Sequence, residues 1–439
     1  MITKAQKDLA QWAMEYALKN GCQAARLSIY NNSNTSFEIR DMKIDSLQQA
    51  SENGLSIQLF VDGRFGSIST NRLDKKELEG FIKNGIESTR YLAEDTARTL
   101  PDASLYYKGG SPDLQLYDSK FSKVQPDEKL ALAMNICDEI MGKDDRVVSS
   151  NSSYSDGDNF SYRIASNGFE GETSSSYFQL GGNASIKGEG DARPSSYWYE
   201  SSLFFDELIK SGIGKTALER TIRKLGQKKV ASAKMPMVVD YLNASRLLAP
   251  ILGAIDGSSI QQKNSFMLDK LQQKVFNDKV TIVDEPHLVK SFGARYFDGE
   301  GIATKKRNIF DKGVLNLYFI DTYNSNKLEM PQTISSSSIL IMPGGSKNAE
   351  GLVGTLDKGI LVTGFNGGNC NSTTGDFSYG IEGFLIEKGK ITQPVNEMNI
   401  TGNMITLWSN LVEIGNDPRL SSSWRIPSLL FDNVDFSGM

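Results

Sequence analysis

The side chains that could make or break bonds in this chain are few and scattered. His287 is the one histidine among 439 residues, so no histidine pair can hold a metal within this chain alone. It follows Pro286 in DEPHLVKS, a loop setting in which imidazole is read as a hydrogen-bonding group before it is read as a base. Neither G-x-S-x-G nor S-x-x-K occurs, which removes the local signatures of an activated serine. GIGKTA ends like a phosphate-binding loop through Gly214, Lys215 and Thr216, but Ile209 stands where the first glycine is needed. The FFDELIKSG before it reads as helix where a phosphate-binding loop would follow a strand.

Two glycine-rich stretches remain. In FDGEGIATKKRNIFDKGVL (297–315) Asp298 and Glu300 are paired carboxylates that could serve acid–base work, although with one intervening residue on a turn such a pair more often caps neighbouring amides. GFNGGNCNSTTGDFSYGIEGF (364–384) sets Asn369, Thr374 and Asp376 among glycines that let backbone approach closely. These five residues are the candidates for lining a cleft. Cys370 lies in the same loop without a nearby histidine or basic residue to lower its pKa, so it is not read as a nucleophile.

The elements that must position these residues follow from periodicity. Leu9, Trp12, Ala13, Tyr16 and Ala17 mark one face of an N-terminal helix, which leaves no apolar run for a secretory signal. ARLSIYNN, NTSFEIRD and LSIQLFVDGRFGSIST alternate like strands of a meander, turned at Asp62-Gly63. Asp74 and Glu77 start a helix continued by Leu78, Phe81, Ile82, Ile86 and Thr89. After a looped connection from Pro101 to Pro126, Leu130, Met134, Cys137 and Met141 share a helical face, and SYRIASNGFEGETSSSYFQL pairs about Asn167-Gly168. Helix is expected over Leu203–Leu225 and over ASRLLAPILGAIDGS (244–258), which follows the strand PMVVD. Short strands then dominate: KVFNDKVTIVD, GVLNLYFID, SSILIMPGG, GILVTGF and GFLIEKGKI. The class is α+β, with N-terminal helix and strand units carrying mixed or antiparallel sheet and a large β-rich C-terminal domain. The expected divisions are 1–100, 101–228 and 229–439.

Composition narrows the function. Hydrophobic residues are 39%, and no stretch reaches the ~20 apolar residues of a membrane span. A net charge of −5 argues against nucleic acid as a direct partner, despite the local run Lys305, Lys306, Arg307. Cys22, Cys137 and Cys370 are too few and too widely spaced for a disulfide framework or a paired-cysteine zinc site, which points to the cytoplasm.

FDGEGIAT, the D-K-G-V-L turn, STTGDFSYGIEGFLIEKGKITQPV, TGNM and GNDP occur in an order that resembles the TldD/PmbA family, the modulators of DNA gyrase also associated with peptide maturation and degradation. The resemblance implies a zinc motif, H-E-x-x-x-H, in the TldD branch, with a late cysteine completing the ligands and zinc-bound water as the reagent. Setting the family's E-G-D on Asp256-Gly257-Ser258 places the histidine positions at Leu248 and Gly253 and the glutamate at Ala249, with Trp424 near the cysteine position. None of these side chains binds metal. The chain therefore resembles the PmbA branch, also called TldE, with no catalytic residue and no cofactor of its own. What the resemblance implies is a TldD-like partner that holds zinc, a peptide substrate, and self-pairing as a dimer when that partner is absent. The alternative reading is a regulatory protein acting on gyrase or a toxin pathway without proteolysis. A third is a hydrolase built on Asp298, Glu300 or Asp376.

Overall fold

Alternating apolar and polar residues make a strand two-faced, and in the first half of this chain the alternation is long enough to build one wide sheet. The computed structural model describes residues 1–438. In it β1 (Ala24–Arg40), β2 (Lys43–Val61), β3 (Arg64–Thr70), β4 (Val147–Ala165), β5 (Glu170–Ile186) and β6 (Ser195–Ser202) form an antiparallel sheet of order β3-β2-β1-β4-β5-β6. Leu27, Ile29, Phe37 and Ile39 of β1, Tyr154 and Ile164 of β4, and Phe178 and Leu180 of β5 are buried. They lie beneath α1 (Lys4–Lys19), α2 (Lys75–Arg90) and α3 (Pro126–Asp138), while α4 (Ile213–Ile222) packs on β5 and β6. The residues between them in sequence point the other way, and they are mostly Ser, Asn, Gly, Gln and Tyr, with Arg26, Glu38 and Arg163 among them. That face is largely polar, with apolar patches at Phe60 and Phe65 and at Ala165.

β1 pairs with β4 from Arg26↔Ala165 to Arg40↔Asn151, so the segments 1–100 and 101–228 contribute to a single sheet. ARLSIYNN and NTSFEIRD, expected as separate strands, are one: Asn31–Asn34 pair with β2 on one side and β4 on the other, and this double pairing carries the strand through its polar middle. The stripe expected on α3 is also rotated. Lys129, Ala133, Ile136 and Cys137 are its buried residues, because the Lys129 ammonium is drawn inward to Asp156 at 2.5 Å. Leu203–Leu225 is helical only in the turn Phe205–Glu207 and in α4, because Gly212 at φ +82° breaks the path between them. That glycine serves a purpose: the amides of Gly212 and Gly214 each donate at 2.7 Å to the Glu139 carboxylate, so an internal anion occupies this helix start.

The C-terminal part begins with β7 (Ala233–Val239). β7 pairs with Lys358–Phe365 and Leu429–Ser437, and the strands Asp376–Glu387 and Lys390–Asn403 complete a circuit closed by pairing of Asp376–Glu387 with Lys358–Phe365. The result is a barrel, the edge-free solution for many short strands. A second sheet of five short strands, Ile282–Asp284, Arg307–Asp311, Val314–Leu315, Leu340–Ile341 and Trp424–Arg425, packs beside it. KVFNDKVTIVD and GVLNLYFID thus yield far shorter strands than their alternation suggests. The chain is α+β with a β-rich C-terminal part. No helix among the described residues is long and apolar enough to cross a membrane.

Candidate functional site

The site is built around the helix that leaves β7. Asp240, buried at the strand end, accepts hydrogen bonds from the backbone and side-chain amides of Asn243, and this turn launches α5 (Ser245–Ala254). Burial raises the Asp240 carboxyl above the usual carboxylate range, with the Asn243 hydrogen bond pulling the other way. The segment expected as one helix over 244–258 is two, because Asp256 adopts extended backbone and caps α6 (Gly257–Gln261) by accepting from the Ser258 amide.

On α5, Leu247, Leu248, Ile251 and Leu252 enter the main core, and the Trp408 indole donates to the Leu247 carbonyl at 3.2 Å. Leu248 is fully buried, whereas Ala249 and Gly253 are exposed, and a Cβ added at Gly253 would meet only open space. Five residues of helix rotate a side chain by about 140° from its starting direction, so Leu248 and Gly253 belong to different faces. Trp424 is half-buried against the same core, on the short strand beside Leu340. A zinc ion does not fit this donor set: two aliphatic side chains, a glycine and an indole offer it no lone pair. Among the described residues no cluster of three or more His, Cys, Asp or Glu side chains could hold a metal.

The outward face of α5 meets the second glycine-rich stretch. Arg246 donates to the Gly368 carbonyl at 3.3 Å and lies over the Tyr379 ring at 5.1 Å. Gly368, at φ +85°, is required here, since a Cβ would collide with the Ser378 carbonyl. The loop is then tied down residue by residue. Ser372 and Thr373 hydroxyls donate to the Asn264 side-chain oxygen at 2.8 and 2.5 Å, and Asn371 accepts from the amides of Thr373 and Thr374. Asp376 accepts from Asn403 at 2.9 Å and from the Thr374 hydroxyl at 2.7 Å, and these two bonds hold its carboxyl below the usual range. Asn369 is exposed on the short strand opposite Ser378. Burial, and secondarily the Asp376 charge, raise the Cys370 thiol, so it stays protonated near neutrality.

Asp298 and Glu300 lie elsewhere, at the junction with the six-stranded sheet. Asp298 is 1% exposed and saturated: one oxygen accepts the amides of Glu300 and Ile302, the other the amide and hydroxyl of Ser335. It is a turn cap. Glu300 accepts the amide and hydroxyl of Thr322 at 2.9 and 2.8 Å and faces Arg26 of β1 at 3.7 Å. Burial raises its carboxyl, with the Thr322 bonds opposing. The candidate carboxylates therefore fall in two separate networks. His287 bonds to the Thr304 hydroxyl at 3.0 Å. Arg26, Arg163 and Arg246, which the sequence reading passed over, supply the charge at these places; an isolated arginine in a run of small polar residues was the available cue.

Comparison with known proteins decides the lineage. Models for the PmbA/TldA metallopeptidase domain 1, central domain and C-terminal domain match residues 25–89, 119–225 and 232–438. The chain belongs to the PmbA/TldD family. The Metalloprotease PmbA homolog of Haemophilus influenzae is 27% identical, covering 100% of this chain and 98% of its own. Metalloprotease PmbA of Escherichia coli O157:H7 is 26% identical, covering 99% and 97%. Among solved structures, a candidate modulator of DNA gyrase from Bacteroides thetaiotaomicron is 66% identical over 100% of both chains, with a TM-score of 0.98. TldE from Thermococcus kodakarensis shares the fold at a TM-score of 0.85 and 16% identity, covering 98% of this chain and 100% of its own.

Proposed function

We propose that this chain is a non-catalytic subunit that pairs with a TldD-type subunit holding the zinc, and that the pair cleaves peptides during their maturation or degradation. The observation that carries the reading is the state of α5. At the family's zinc-helix position one residue is committed to the core and the two exposed ones, Ala249 and Gly253, have no donor atoms. The loop opposite is braced by hydrogen bonds at Asn264, Asp376 and Asn403 without offering a nucleophile. A rigid wall without reagents suits a subunit that shapes a cleft, in which Asn369, Thr374 and Asp376 are the residues proposed to touch peptide.

Residence in the cytoplasm and self-pairing without the partner belong to the same proposal. Co-purification with a TldD-type relative, followed by peptide hydrolysis with and without zinc, tests it. Expected are a stable complex, zinc-dependent hydrolysis by the complex at least about tenfold above the relative alone, and no stoichiometric zinc in this chain by elemental analysis. Hydrolysis by the isolated chain with one tightly bound zinc would overturn it.

A further inference from the structure

Where the polar face of the six-stranded sheet meets the C-terminal domain, the surface closes into a cavity of about 380 Å³. That is within the range of pockets that take small ligands, ~300 to 1,000 Å³. Arg163 of β4 lines it, together with β5 from Glu172 to Ser175 and two loop segments, 113–116 and 294–299.

The other charges in the cavity are already committed. Asp113 accepts the Gln115 amide, Asp298 is saturated by four donors, Glu172 takes Lys7 at 2.5 Å, and the Arg295 guanidinium is spent on Ser336, Ser337 and Ser338. Arg163 differs. It stands opposite Ser28 and Gly171, and its guanidinium donates through Nε to the Ser161 hydroxyl at 3.3 Å but forms no ion pair among the described residues. A guanidinium stays protonated at any ordinary pH and presents a fork that matches an oxyanion bidentately.

The surroundings select among anions. Asp113, Glu172 and Asp298 place negative charge nearby, which penalises a dianion such as phosphate more than a monoanion, and Leu116 and Phe297 supply apolar wall. The neighbouring strand adds direction. β6 pairs with β5 only from Phe178 onward, and Ser176 donates its outward amide to the Leu116 carbonyl. Ser174, two residues earlier, presents its amide and carbonyl on that same outward side, into the cavity.

We propose that this cavity binds the C-terminal carboxylate of a short peptide, with Arg163 clasping the carboxylate and the Ser174 main chain bonding the final residues. The proposal rests on the peptide reading above and goes beyond it by specifying which end of the peptide is held, and where. Calorimetric titration of the isolated chain with acetyl-trialanine, its C-terminal amide and inorganic phosphate tests it. The acid binds at least about tenfold more tightly than the amide, the difference expected of a charge-assisted bidentate contact. Arg163→Met abolishes that preference and Arg163→Lys retains part of it. Equal binding of acid and amide, binding of neither, or tighter binding of phosphate than of the acid would overturn it. The acid-to-amide ratio needs no variant, so a misfolded Arg163→Met leaves the test intact. Because no partner is present, a selective chain that fails to stimulate a TldD-type subunit refutes the subunit role alone, and stimulation without selectivity refutes this site alone.

Discussion

The Lys129–Asp156 pair ties α3 to the sheet through a buried charge. Asp156 is fully buried, accepts the Tyr154 hydroxyl at 2.6 Å and the Lys129 ammonium at 2.5 Å, and keeps one oxygen without a hydrogen bond. Removing the cation strands a buried carboxylate. Lys129→Met is expected to cost about 3–5 kcal/mol, read as a lower urea midpoint at unchanged slope, whereas Lys129→Met with Asp156→Leu recovers most of the loss. Two tyrosines on the same strand give a pH signature. Burial, reinforced by the Asp156 hydrogen bond, raises the Tyr154 hydroxyl far above its ordinary value, and burial with the Glu170 bond pushes Tyr162 up to about 12. Folded pKa values above the unfolded value of about 10 mean that the unfolded chain releases these protons first. Their stabilisation is complete below pH ~10 and is lost as pH rises from there toward the folded values. Urea midpoints measured from pH 8 to 12 should fall steadily above 10, and Tyr162→Phe should flatten the decline.

At the scale of elements, α5 shows how a helix can keep a position and lose its chemistry. Changing Leu248, Ala249, Gly253 and Trp424 to His, Glu, His and Cys would restore donor types but not a site, because Leu248 points into the core and Gly253 into open space. The graft should bind no zinc by elemental analysis, show no peptidase activity, and lose about 2–5 kcal/mol of stability for the buried leucine alone. α5 also shows what was legible in the sequence. Its apolar spacing gave the helix and its burial, and the ordered C-terminal motifs gave the family. Periodicity could not show the break at Asp256, which depends on an extended backbone and a cap. Nor could it rotate α3 toward Lys129, since the partner that buries that lysine, Asp156, lies on β4. The split between the Asp298–Glu300 network and the Asp376 network was equally hidden. Both sit in glycine-rich loops, and only the tertiary path sends one to the sheet junction and the other to α5.

For the whole molecule, the seam between the first two segments matters most. Family models match 25–89 and 119–225 separately, yet β1 and β4 are adjacent strands of one sheet. A fragment ending at residue 118 would leave β1 with an open edge and uncover Phe37 and Ile39, which pack with α3, Tyr154 and Phe178. It should aggregate or bind a hydrophobic dye on size-exclusion chromatography, whereas a fragment ending at 225 should retain the whole sheet and remain monodisperse. The same pairing sets a clock during synthesis. Ser33 and its β4 partner Asp158 are 125 residues apart in sequence, so at ~5–20 residues per second the ribosome leaves β1 waiting roughly 6–25 s for its neighbour. The β1–β2 hairpin must survive that interval with one edge bare, which makes the nascent chain, rather than the finished protein, the form most dependent on chaperones.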